Sequence, residues 1–111
     1  MNVGKTIFEQ IKTLTPTAVI WSWGASSWKS FGEEYFQDIP HLGGLLFKVR
    51  GQIHTGHVMI QLAPDDTYVV STGKLYAGQF RKITTHKNVY FDELPSLLDE
   101  MIETPPVAQT A

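Results

Sequence analysis

Between residues 45 and 62 apolar and polar positions alternate along the chain. Leu45, Phe47 and Val49 stand against Leu46, Lys48 and Arg50, and then Val58, Ile60 and Leu62 stand against His57, Met59 and Gln61. A period of two sends successive side chains to opposite faces, so this stretch predicts two half-buried strands. Pro64-Asp65-Asp66 follows as a tight turn, because proline presets the first turn dihedral and aspartate can bond the backbone ahead of it. Residues 67–72 return from that turn as a third strand. Residues 73–78 read as a second connection, 79–85 as a fourth alternating run, and 88–91 as a short extended lead into a helix.

Two stretches carry the helical period instead. Ile7, Phe8, Ile11 and Leu14 form one stripe, opened by the capping-box pattern Thr6-Ile7-Phe8-Glu9 and closed at Thr15-Pro16, where the residue before proline is pushed out of the α region. Leu94, Leu97, Leu98, Met101 and Ile102 form the other, with Asp92 as its cap and Pro95 in the first turn, where no intrahelical amide bond is lost. Residues 17–23 are rich in β-branched and aromatic side chains and predict a strand with Val19, Trp21 and Trp23 on one side. Residues 24–40 fit either a short helix or a structured loop. The element order contains no βαβ crossover, so the class is α+β: an antiparallel meander sheet of about four to five strands with N-terminal and C-terminal amphipathic helices. A single domain spans residues 1–103, and 104–111, with two prolines and no stripe, read as a flexible tail.

Cysteine is absent, which removes disulfides, thiolate catalysis and cysteine-based zinc sites. No apolar stretch approaches the ~18 residues of a membrane span, and the opening residues hold no export core, so a cytoplasmic protein without membrane contact is expected. The net charge of −2 conceals an asymmetry: from Lys48 to Lys87 the chain is +4, and outside that window it is −6. The predicted sheet is basic and the predicted helices are acidic.

Several residues resemble a pattern seen in small uncharacterised proteins of bacteriophages and bacterial mobile elements. The similar segments are 24–31, Leu45-Leu46-Phe47-Lys48, Asp66-Thr67-Tyr68-Val69-Val70, Lys74 and Val89-Tyr90-Phe91-Asp92-Glu93-Leu94. Where that pattern runs through a threonine-glycine-alanine-lysine segment, this chain has Trp28-Lys29-Ser30-Phe31. The resemblance implies the fold and a phage or mobile-element setting, and it carries no activity.

Catalytic and metal chemistry find little support. His54-x-x-His57 would present its rings to opposite sides of a strand unless a turn intervenes, and no metal or other cofactor is expected. Ser26-x-x-Lys29 lacks the companion motifs of serine–lysine enzymes, and Ser71-Thr72-Gly73-Lys74 has the wrong order for a phosphate loop. Two binding readings remain. Aromatics crowd residues 21–36, and exposed members beside Lys29 would anchor a protein partner or a second copy of the chain; the candidates are Trp28, Lys29, Phe31 and Tyr35. The alternative is a nucleic-acid-binding module in which Lys48, Arg50, Tyr76, Arg81 and Lys82 combine phosphate contact with stacking. The first reading, a small non-catalytic binding protein acting through a protein contact, is the expectation, ahead of nucleic-acid binding and of an enzyme with an unrecognised site.

Overall fold

A computed structural model describes residues 2–51, 53–77 and 79–102 of the chain. Five strands, β1 (Ser26–Phe31), β2 (Gly44–Arg50), β3 (Thr55–Leu62), β4 (Tyr68–Tyr76) and β5 (Gln79–Val89), form one antiparallel sheet in the order β1-β2-β3-β4-β5. Helices α1 (Val3–Leu14), α2 (Thr17–Ser22) and α3 (Leu94–Ile102) complete the α+β fold. No helix among the described residues is long and apolar enough to cross a membrane. The proposed tail, residues 104–111, lies outside the described residues.

The core forms between α1, α3 and one face of the sheet, where the alternation in β2 and β3 sends Leu45, Phe47, Val49, Val58 and Ile60 inward. Ile7 and Ile11 of α1 and Leu94, Leu98 and Ile102 of α3 meet them, all buried. Tyr68 reaches across to donate its hydroxyl to Gln10 Oε1 of α1 (2.7 Å). Burial raises the Tyr68 phenol pKa, and the Gln10 bond offsets only part of that rise.

Five local expectations change. Helix α1 begins earlier than the Thr6 box, because Asn2 caps it by accepting from the Lys5 amide (2.9 Å). Residues 17–22 are a helix and not a strand. Their inward set is Val19, Ile20 and Trp23, a helical spacing, while Trp21 is 79% exposed. Packing thus overrides the β propensity of the segment. Within residues 24–40, neither helix nor loop accounts for 26–31, which form β1 on the edge beside β2. Residues 73–76, expected as a connection, continue β4, whose partner strand pairs with them through Tyr76↔Gln79. Finally, Asp92 does not cap α3 directly. A 3-10 turn at Phe91–Glu93 precedes the helix, and the Glu93 carboxylate accepts from the Tyr90 amide (2.9 Å).

The sheet face away from the helices, here the outer face, is covered at one end by the irregular segment 32–43. Gln61 is fully buried there and donates to the Phe36 carbonyl (3.2 Å) and to Asp38 Oδ1 (3.4 Å). Lys82 of β5 donates to Gln61 Oε1 (3.1 Å) and pairs with Asp38 Oδ2 (2.6 Å). Burial alone would raise the Asp38 pKa, but the Lys82 bond and charge, with Gln61, outweigh it and hold the carboxyl below its ordinary value. His41 fixes the far side of the segment: the Gly43 amide donates to its Nδ1 (2.9 Å), so its Nε2 carries the proton and donates to the Tyr35 carbonyl (2.7 Å).

Candidate nucleic-acid interface

Seven of the nine lysines and arginines lie in strands: Lys29 in β1, Lys48 and Arg50 in β2, Lys74 in β4, and Arg81, Lys82 and Lys87 in β5. The other two, Lys5 and Lys12, lie in α1, and no strand contains an aspartate or glutamate. The meander gathers this charge. The registers Arg50↔Thr55, Lys48↔His57, His57↔Gly73, Gly73↔Lys82 and Lys74↔Arg81 bring the end of β2, the start of β3, the end of β4 and the start of β5 to one end of the sheet. The β3–β4 turn with Asp65 and Asp66, and the chain leaving β1 through Glu33 and Glu34, lie at the other end. The sheet is therefore polarised along its strands, cationic at one end and anionic at the other. Lys87 belongs to the second group, since it lines a shallow depression with Asp92, Glu93 and Glu100.

Within the cationic end the side chains divide between the two faces. Lys48 and Arg50 share the outer face with His57 and are exposed. His57 is depressed below the usual histidine pKa, first by burial and then by the charges of Lys48, His54 and Lys29, which places all four groups in one electrostatic neighbourhood. The His54 ring is held back toward the chain, with Nε2 3.1 Å from the His57 carbonyl. Among the described residues no group of three or more histidine, aspartate or glutamate side chains is placed to hold a metal.

Beyond Gly73 strand β4 has no partner in β3, so residues 74–76 and 79–81 form a two-stranded arm. Lys74, Tyr76 and Arg81 lie on the face of the arm opposite to that of Lys48 and Arg50, and all three are exposed. A cleft of about 580 Å³ is lined by Lys74, Tyr76, Gln79, Phe80 and Arg81. Lys82 turns to the outer face and is occupied by Asp38 and Gln61. Of the five nucleic-acid candidates, Lys48 and Arg50 are thus together, Tyr76 and Arg81 are together on the other side of the same end, and Lys82 is engaged.

The four aromatic-patch candidates are not brought together. Ser27 adopts a left-handed φ of 56° in a bulge of β1, between the pairs Ser26↔Lys48 and Lys29↔Leu46. The extra residue turns Trp28 to the core, where its ring stacks on Phe47 (4.3 Å between centroids) and meets the edge of Phe8 (4.9 Å). Phe31 goes to the outer face and packs on Phe36 (5.0 Å) and His41 (5.7 Å). Only Lys29 and Tyr35 stay exposed.

Three contributors escaped the sequence reading. In the sequence Lys74 falls in a predicted connection, His57 stands on the polar side of a predicted strand, and nothing marks Asp38. The signal available for the first is the basic window from Lys48 to Lys87, which includes residue 74. Comparison of the chain with family models, with curated proteins and with solved structures finds no match.

Proposed function

We propose that this protein binds nucleic acid through the cationic end of its sheet, using Lys48 and Arg50 on the outer face and Lys74 and Arg81 on the arm. The observation that carries this reading is that all charged side chains in the five strands are cations and that the meander concentrates five of them at one end. Surface strands usually intersperse both signs, whereas a polyanion favours a one-signed surface. Trp28 and Phe31 are spent on packing, so the cationic end outranks the aromatic patch as a contact surface. We place such a binding module in the cytoplasm, as an accessory factor of a phage or mobile element in a bacterial host.

The test is fluorescence anisotropy of labelled oligonucleotides with the full chain. Four phosphate contacts predict that the logarithm of affinity falls with the logarithm of salt at a slope of about −2.8 for a single strand, or ~50-fold between about 50 and about 200 mM. Absence of binding at the lower salt would overturn the proposal.

Two outcomes follow from the neighbours of the site. Asp38→Asn removes the charge that occupies Lys82, so Lys82 joins the cationic end, affinity rises, and the single-strand salt slope steepens by about 0.7. Titration of that variant in parallel with the natural chain checks it. For His57 the depressed pKa means that the ring is neutral near pH 7, and a phosphate nearby favours its charged form. Binding should then take up a proton and tighten as pH falls into the acid side of the histidine range, a dependence that His57→Gln flattens. Anisotropy at constant ionic strength reads both.

A further inference from the structure

The arm bears a feature that folding alone does not favour. Lys74 and Arg81 are directly opposed across the β4–β5 ladder, and like charges in that position repel. Among the described residues neither is paired with a carboxylate; the ion pair found there is that of Lys82 with Asp38. One same-face step further along, ~7 Å by strand geometry, Tyr76 forms the cross-strand pair with Gln79 and is 83% exposed, the most exposed large apolar side chain of the described residues. A ring of this size left in water keeps a large apolar area that a ligand could cover.

A cation pair beside an uncovered ring matches one kind of ligand. An oxyanion between Lys74 and Arg81 relieves their repulsion, and a flat apolar group covers Tyr76. The two demands are met together by a nucleotide whose phosphate and base are both accessible. In a duplex the base faces are buried against one another, and only edges are offered to a protein ribbon. We infer that the ligand of the arm is single-stranded nucleic acid, with one phosphate held between Lys74 and Arg81 and the neighbouring base stacked on Tyr76. This rests on the nucleic-acid reading above and narrows it to one strand form. Gln79, across the ladder from Tyr76, lies where its amide can reach the edge of the stacked base, a contact open to every base because the amide both donates and accepts.

The experiment uses the full chain, a labelled mixed-sequence strand of ~12 nucleotides, the same strand annealed to its complement, and the variants Tyr76→Ala and Tyr76→Phe. Because Tyr76 is exposed, both variants should keep the natural thermal midpoint, measured beside the titrations. The natural chain is expected to bind the single strand at least about tenfold more tightly than the duplex at low salt, since only the strand offers base faces. Tyr76→Ala should weaken the single strand by ~5-fold to ~150-fold, the range of one lost base stack, with no change in salt slope. Tyr76→Phe, which keeps the ring, should restore most of it. Duplex binding as tight as single-strand binding, or a Tyr76→Ala variant with natural single-strand affinity, overturns the inference and leaves the broader reading standing. No binding to either form overturns both.

Discussion

Replacing Lys48, Arg50, Lys74 and Arg81 together by alanine is expected to abolish measurable nucleic-acid binding while leaving the fold intact. All four side chains are exposed, and none contributes to the core. Their removal therefore costs stability little, as surface substitutions usually change it by no more than ~0.5 kcal/mol. Affinity responds differently. Phosphate contacts supply nearly all of sequence-independent binding, and each cation removed should take about 0.7 from the single-strand salt slope. Removing the Lys48 and Arg50 pair alone, or the Lys74 and Arg81 pair alone, should leave a weaker and shallower titration, since the pairs lie on opposite faces of the same sheet end. Anisotropy titrations of the three variants, with thermal melts as a control on folding, check the prediction. An unaltered affinity in the quadruple variant would remove the cationic end from consideration.

Trp23→Ala is expected to have the largest effect on stability. Trp23 is fully buried at the end of α2, between the sheet and α3. Its ring nitrogen donates to Asp99 Oδ1 (3.1 Å), and its carbonyl accepts from the Arg50 amide (2.8 Å), so one residue ties α2, α3 and the end of β2. Truncation of a buried tryptophan costs ~3–5 kcal/mol, a large share of the ~5–15 kcal/mol that holds a domain of ordinary stability. The variant should populate unfolded chain at moderate temperature. Trp23→Phe keeps much of the volume and loses the Asp99 bond, and its cost should fall between those of the alanine variant and the natural chain. Urea unfolding monitored by circular dichroism orders the three. The same tie predicts that Trp21→Ala, two residues away and 79% exposed, is nearly silent.

The central strands were legible because their chemistry is local. In β2 and β3 each residue's face follows from its neighbour's, so Phe47 and Ile60 were placed in the core and Lys48 outside it by alternation alone. The last helix showed itself through a stripe of leucines that only a helix aligns. Segments whose conformation depends on distant partners were not legible. Residues 17–22 have strand-forming side chains, yet they form a helix that packs Val19 and Ile20, with Trp23 after them, against the core, and Trp23 bonds Asp99, 76 positions away in the chain. The bulge at Ser27 cannot be seen in a run of small and aromatic residues, and it sets which face Trp28 takes; Phe31, three residues on, then falls on the other face by alternation. Alternation along β1 thus separates rings that crowd together in the sequence.

The candidate site was half legible for a related reason. The basic window marked Lys48, Arg50 and Arg81 from charge counting. Which cations remain available depends on pairings that only the folded chain makes. Lys82 is claimed by Asp38, 44 positions earlier, while Lys74 gains an opposing Arg81 once β4 extends into the arm. Charge distribution along the sequence marks where the strands gather cations, and topology decides which of them lie together.

The measurement that bears most directly on the account is a titration of the isotope-labelled chain with a short single-stranded oligonucleotide, followed through backbone and side-chain NMR shifts. The account predicts that perturbations concentrate at Lys48, Arg50, His57, Lys74, Tyr76 and Arg81, with the turn at Asp65 and Asp66 and helix α1 unmoved. Shifts centred instead on Lys29 and Tyr35, on the anionic end of the sheet, or nowhere at all would contradict it.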